Sequence, residues 1–268
     1  MKRIFVIGLS FILVLFGGVC LAEEYSTAPA FVRVTTNALG YNLLAKKVAK
    51  VALKSALNKS AKGDYKINFD SFSGVDLKKG KFKSLTIDGE NISIDDEFYV
   101  SKMHLKTTSD FNYVDYTKDP IVFMTDFPMD FNMEITEEDL NKSVKSNKTI
   151  DTISSLLPFV SVATPKVTLN GDKMKISSAV NLPLGKSLKF SMSAGLKVEN
   201  GKIVFTNVQA SKKNEFTEQL INLMNDKDIL ENINLNFFEG SDTTVKIKDV
   251  KIKDKTIFIN GNMVVKKA

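Results

Sequence analysis

Apolar and polar residues alternate through 80–108, GKFKSLTIDGENISIDDEFYVSKMHLKTT. Phe82, Leu85, Ile87, Ile92, Ile94, Phe98, Val100, Met103 and Leu105 make one apolar face with a period near two, the repeat of strands buried on one side. Asp88-Gly89 and Asp95-Asp96 punctuate the run as turns, and Asp88-Gly89 carries a hairpin signature. The steps from Phe82 to Leu85 and from Val100 to Met103 are odd, so one face stays inward only if a bulge absorbs a residue. A strongly curved antiparallel meander is the expectation.

The pattern returns at Val245, Ile247, Val250, Ile252, Ile257, Ile259, Gly261, Met263 and Val265, again with one odd step, from Ile247 to Val250. Between these runs Phe123, Phe127, Met129, Phe131, Met133 and Ile135 alternate with Asp126, Asp130, Asn132 and Glu134, and Pro128 predicts an edge or bulge position. A further strand group runs from Val167 to Val208, with hairpin signals at Asn170-Gly171 and Asn200-Gly201. Lysines and aspartates fill the other side of these strands, so each sheet has one greasy face that needs a cover.

Helical spacing supplies one. Residues 37–60 place Leu39, Leu43, Leu44, Val48, Val51 and Leu57 three and four apart, with Lys46, Lys47, Lys50, Lys54 and Lys59 largely on other faces. The spacing predicts one long amphipathic helix packing its apolar stripe on the sheet, although a lysine-rich helix can also lie on a membrane. Thr136-Glu137-Glu138-Asp139 opens a short capped helix. Residues 150–157 and 216–224 carry further helical spacing, 112–120 read as a loop, and 75–80 lead into the meander. The order is that of an α+β protein, with a linker over 23–36 and a single domain over 37–268.

The first 22 residues stand apart. Lys2 and Arg3 precede an apolar run from Ile4 to Val19, then Cys20-Leu21-Ala22 before Glu23-Glu24. That is the pattern of a secretory signal peptide cleaved after Ala22, with an uncleaved anchor or acylation at Cys20 as alternatives. Cleavage removes the single cysteine of the chain, leaving no thiol for a disulfide, a metal or a nucleophile. It also removes two basic residues, leaving 35 against 31 acidic ones. That thin excess fits solvated lysine-rich faces and a mild attraction to anionic lipid better than a nucleic-acid stripe.

Catalytic chemistry is sparse. His104, the one histidine, lies between Met103 and Leu105 and so points to the polar side of its strand. No G-x-S-x-G elbow, phosphate loop or set of zinc ligands occurs, so no catalytic residue, metal or cofactor is assigned. The clusters Asp95-Asp96-Glu97 and Glu137-Glu138-Asp139 read as a turn and a helix start, with a carboxylate hydrolase as the remaining enzymatic alternative. What is left is apolar surface, which either closes into ordinary core or stays open as a groove for acyl chains. Phe and Met suit a groove because they adapt to guests of variable shape.

The run Leu77-Lys-Lys-Gly80-Lys-Phe82-Lys-Ser-Leu85-Thr-Ile87-Asp-Gly-Glu-Asn-Ile92, followed by Tyr99-Val100-Ser-Lys-Met103-His-Leu105, resembles the LmeA-like phospholipid-binding family of exported bacterial proteins. Ile135-Thr-Glu-Glu-Asp-Leu140-Asn141 is similar to its short helix entry, and Val245 to Val265 to its last hairpin. The resemblance implies a TULIP-like curved sheet wrapped on a long helix, binding phospholipid at a membrane surface in the periplasm or cell envelope. On that expectation Leu43, Leu44 and Val48 with Phe127, Met129, Phe131 and Met133 line the groove. Lys46 and Lys47 meet the headgroup. The alternative is a non-catalytic envelope scaffold with a filled core.

Overall fold

The computed structural model describes residues 26–38, 40–115, 118, 122–146, 161–181, 187–213, 217–218, 220–222 and 243–268. The signal segment, the helical spacing over 150–157 and Leu39 lie outside them, as do residues 216, 219 and 223–224 of the last expected helix, whose described residues are helical.

The N-terminal helix is divided. α1 spans Ala30–Ala38 and α2 spans Tyr41–Ser60, so the stretch expected as a linker contains a helix and the single helix over 37–60 is broken. Gly40 is the cause. It sits at φ 71 with nothing near its missing Cβ, so the left-handed backbone alone calls for glycine. Ahead of α1, the Ala28 amide donates to Asp76 Oδ1 at 2.6 Å and the buried Lys81 ammonium donates to the Ser26 carbonyl at 2.7 Å. These bonds tie the start of the described chain to α3 (Gly74–Lys78) and β2 (Lys81–Phe82). Ser73 caps α3 by accepting from the Asp76 amide, which turns the expected lead-in to the meander into a helix.

The main sheet has six antiparallel strands in the order β1 (Ala61–Asp70), β3 (Ser84–Ile94), β4 (Phe98–Thr107), β7 (Phe127–Thr136), β14 (Thr256–Val265) and β13 (Thr243–Lys253). It is open, not a closed barrel, with β1 and β13 at its edges. A second sheet joins β8 (Ser161–Val162), β9 (Lys166–Asn170), β10 (Lys173–Asn181), β11 (Ser187–Glu199) and β12 (Lys202–Ala210). A third, small sheet pairs β2 with β5 (Asn112–Asp115) and β5 with β6 (Val122–Phe123), so a strand stands where a loop was expected.

The odd steps resolve in three ways. The step at Ile247 is a bulge, with Lys248 as the extra residue between the pairs Ile247↔Gly261 and Asp249↔Asn260. Between Phe82 and Leu85 the chain breaks strand at Lys83, whose amide donates to the Asp70 carbonyl. Val100 to Met103 holds constant register with β3, and the slip lies instead between β1 and β3, where Asn91 takes φ 52. The hairpin reading of Asp88-Gly89 is wrong, because both lie inside β3 and the turn is Asp95-Asp96, at φ 52 and 55. Gly89 answers a packing need, since a Cβ there would lie 2.9 Å from the ring of Tyr65, its partner on β1.

Pro128 also departs from expectation, because β7 is central, paired on both sides. The last pair with β4 is Thr107↔Met129, and the Pro128 carbonyl accepts from the Thr108 amide on that same side. The missing N–H therefore falls where the β4 ladder has ended, and the β14 ladder loses nothing.

α4 (Glu137–Ser143) joins the two large sheets. Thr136 and Asp139 form a capping box, with the Asp139 carboxylate accepting from the Thr136 amide at 2.9 Å. Glu137 accepts from the Leu169 amide at 2.7 Å, while the Asn141 side chain both accepts from and donates to the Val167 backbone. The edge of β9 is thereby satisfied by side chains.

Candidate functional site

The inward face of the main sheet is organised in rows that cross all six strands. Ile67, Ile87, Leu105, Phe131, Gly261 and Ile247 stand opposite one another in one row. Tyr65, Gly89, Met103, Met133, Ile259 and Val250 form the next. Aromatic rings lie over both glycines, and at Gly261 a Cβ would stand 2.7 Å from the Phe131 ring and 2.5 Å from the Lys246 carbonyl. Phe127, Met129, Phe131 and Met133 come together at the centre of this face, each between 1% and 4% exposed. One end of the face is aromatic. Phe69 meets Phe82 edge-on at 5.6 Å, Phe82 meets Phe127 at 6.0 Å, and Phe123 meets Phe127 at 5.5 Å.

The structure does not bring the helix residues to that centre. Leu43 and Leu44 are 77% and 61% exposed, Lys46 and Val48 are half-buried, and Lys47 is exposed. The face of α2 that packs on the body carries Ala45, Ala49, Leu53, Ala56 and Leu57 instead. Alanine at spacings of three and four lets the helix axis approach the sheet closely, and the bulky Leu43, Leu44 and Val51 are left on the opposite side. The close fit extends to α3, where a Cβ on Gly74 would stand 2.7 Å from the Tyr41 ring. The alanine stripe was the available signal. Counting leucines and valines alone passed over it.

The polar candidates hold structural positions. Asp96 pairs with Lys62 at 2.7 Å and accepts from Ser93, and the Lys62 hydrogen bond holds its carboxyl below the usual carboxylate range. Asp139 is bound up in the cap of α4 and also accepts from Ser101. His104 Nδ1 meets Asp88 Oδ1 at 2.6 Å on the outward face of the sheet. Among the described residues no group of three or more His, Cys, Asp or Glu is placed to hold a metal. Burial pushes the Tyr65 phenol up to about 12, and its hydroxyl donates to the Ala61 carbonyl at 2.8 Å.

Fold and site together define an α+β protein with an open antiparallel sheet whose one apolar face is continuous from edge to edge. A family model described as LmeA-like phospholipid-binding matches residues 38–262, and the chain belongs to that family. The match covers α2 and all three sheets except the last residues of β14, and it leaves out nearly all of α1. No curated protein and no solved structure matches the chain.

Proposed function

We propose that this protein holds phospholipid acyl chains against the inward face of its main sheet and carries or retains them in the cell envelope, without catalysis. The observation that carries the reading is the band of apolar rows crossing six strands, which lies within the residues matched by a phospholipid-binding family model. Leu53 and Leu57 of α2 line the guest site with Phe127, Met129, Phe131 and Met133, in place of Leu43 and Leu44. Met and Phe give that lining the adaptability a chain of variable length requires, because a thioether on three rotatable bonds refills space that a guest vacates. The sheet and α2 then form a TULIP-like wrap. The signal pattern over residues 1–22 supports export, and the protein meets a membrane surface peripherally to exchange its lipid.

Native mass spectrometry of gently purified protein, with uptake of a fluorescent phospholipid from vesicles, tests this. Bound phospholipid and uptake are expected. Lipid-free protein that takes up nothing overturns it.

A second reading has its own support. The rings of Phe82 and Phe123 already pack against Phe127, and the central side chains are buried by the protein itself. On that reading the interior is solid and the protein is an envelope scaffold. It predicts no lipid uptake at any vesicle composition and a protein partner retained on affinity capture.

A further inference from the structure

The large apolar side chains exposed among the described residues fall mostly on two consecutive helices. Phe31 and Val34 on α1, and Leu43, Leu44 and Val51 on α2, are between 61% and 79% exposed, and the sixth, Phe258, is 39% exposed on the sheet. At 100° per residue, Leu43, Leu44, Lys47, Val51 and Lys54 fall within an arc of roughly 100°, opposite the stripe of Ala45, Ala49, Leu53 and Ala56. Lys47 and Lys54 are exposed within that arc.

The charge on these helices has one sign. Residues 30–60 contain Arg33 and five lysines, and no aspartate or glutamate. An ordinary solvated helix face mixes signs to gain pairs one turn apart. A face of leucine and valine interleaved with lysine alone complements a surface that is apolar just below an anionic layer. A second copy of the chain is disfavoured, because apposing two such faces sets lysine against lysine.

We propose that the exposed sides of α1 and α2 together form the surface by which this protein docks on an anionic phospholipid bilayer. Phe31, Val34, Leu43, Leu44 and Val51 enter the interface, and Lys47 and Lys54 meet the phosphates. The inference rests on the lipid-carrying reading for the identity of the surface, and it adds where on the molecule lipid is met. α1 contributes residues that precede the family match.

Cosedimentation of the protein with vesicles of phosphatidylcholine, alone or mixed with phosphatidylglycerol, tests the proposal. Three proteins are compared: the unaltered chain, Leu43→Ser/Leu44→Ser/Val51→Ser, and Lys47→Gln/Lys54→Gln. The unaltered chain sediments with the mixed vesicles and less with phosphatidylcholine alone, and each variant loses about tenfold or more in vesicle affinity. Unfolding midpoints check that the variants fold, and native mass spectrometry reads bound phospholipid separately. Variants that bind vesicles like the unaltered chain overturn the proposal, as does an unaltered chain that ignores phosphatidylglycerol. An assembly in solution that the serine variant dissolves, with vesicle binding unchanged, overturns it in favour of contact between copies. Lipid-loaded protein that ignores vesicles sinks the docking face and leaves the interior site standing. Lipid-free protein whose vesicle binding depends on these residues does the reverse.

Discussion

Two apolar surfaces of similar composition meet opposite fates in this chain. The inward face of the main sheet buries Phe127, Met129, Phe131 and Met133 almost completely, whereas the exposed sides of α1 and α2 leave Phe31, Val34, Leu43, Leu44 and Val51 in solvent. The difference lies in what stands opposite each. A strand row is fixed by its ladder partners, so every residue of one parity shares the fate of its face. A helix has a choice of stripes, and α2 turned its alanine side to the body. Apolar character alone therefore does not say which surface is core and which is offered outward.

The comparison can be broken most forcefully at the sheet. Phe131→Ala removes a ring from the middle of a six-strand row and should cost about 3–5 kcal/mol in urea unfolding. Next is alkaline pH. The folded-state pKa of Tyr65 is raised from 10.0 to about 12, so the stability held by its neutral phenol is complete below pH 10 and is lost as pH climbs through 12. About 2–3 kcal/mol should disappear over that window, and Tyr65→Phe should flatten the difference when the two proteins are unfolded in parallel. Gly261→Ala comes third, at about 2 kcal/mol by thermal unfolding, because the Lys246 carbonyl and the Phe131 ring occupy the place of the new methyl group. Smallest is Leu43→Ala with Leu44→Ala, which should leave the unfolding midpoint within about 0.5 kcal/mol of the unaltered chain. A large loss there would mean that the outer helix face is covered after all.

The face alternation of the strands was legible residue by residue. Phe127, Met129, Phe131, Met133 and Ile135 are all buried, as their period of two requires, and the capped helix at Thr136 begins where its signature stands. Asn200-Gly201 closes a hairpin as expected, and the hairpin signalled at Asn170-Gly171 turns one residue later, at Gly171-Asp172, with Asn170 still paired in β9. Asp88-Gly89 shows where this kind of reading fails. Its glycine serves the Tyr65 ring on the neighbouring strand, and no local pattern separates that need from a turn. The break at Gly40 was masked in the same way, because leucine spacing continues through it.

For the candidate site, the strand half was legible and the helix half was not. Phe127, Met129, Phe131 and Met133 meet as expected, while Leu43 and Leu44 point away from them. Glu137 and Asn141, which tie α4 to β9 through the backbone of Val167 and Leu169, carry no mark of that role in their own neighbourhood.

The sequence by itself determined the α+β class, the parity of each long strand, the caps and two of the tight turns, because these depend on residues a few positions apart. Only the tertiary structure decided which stripe of α2 faces the body, which glycines lie beneath aromatic rings and where the register slips. Those outcomes follow from how closely two backbones approach across the fold, and close approach is a property of the pair, written in neither segment alone.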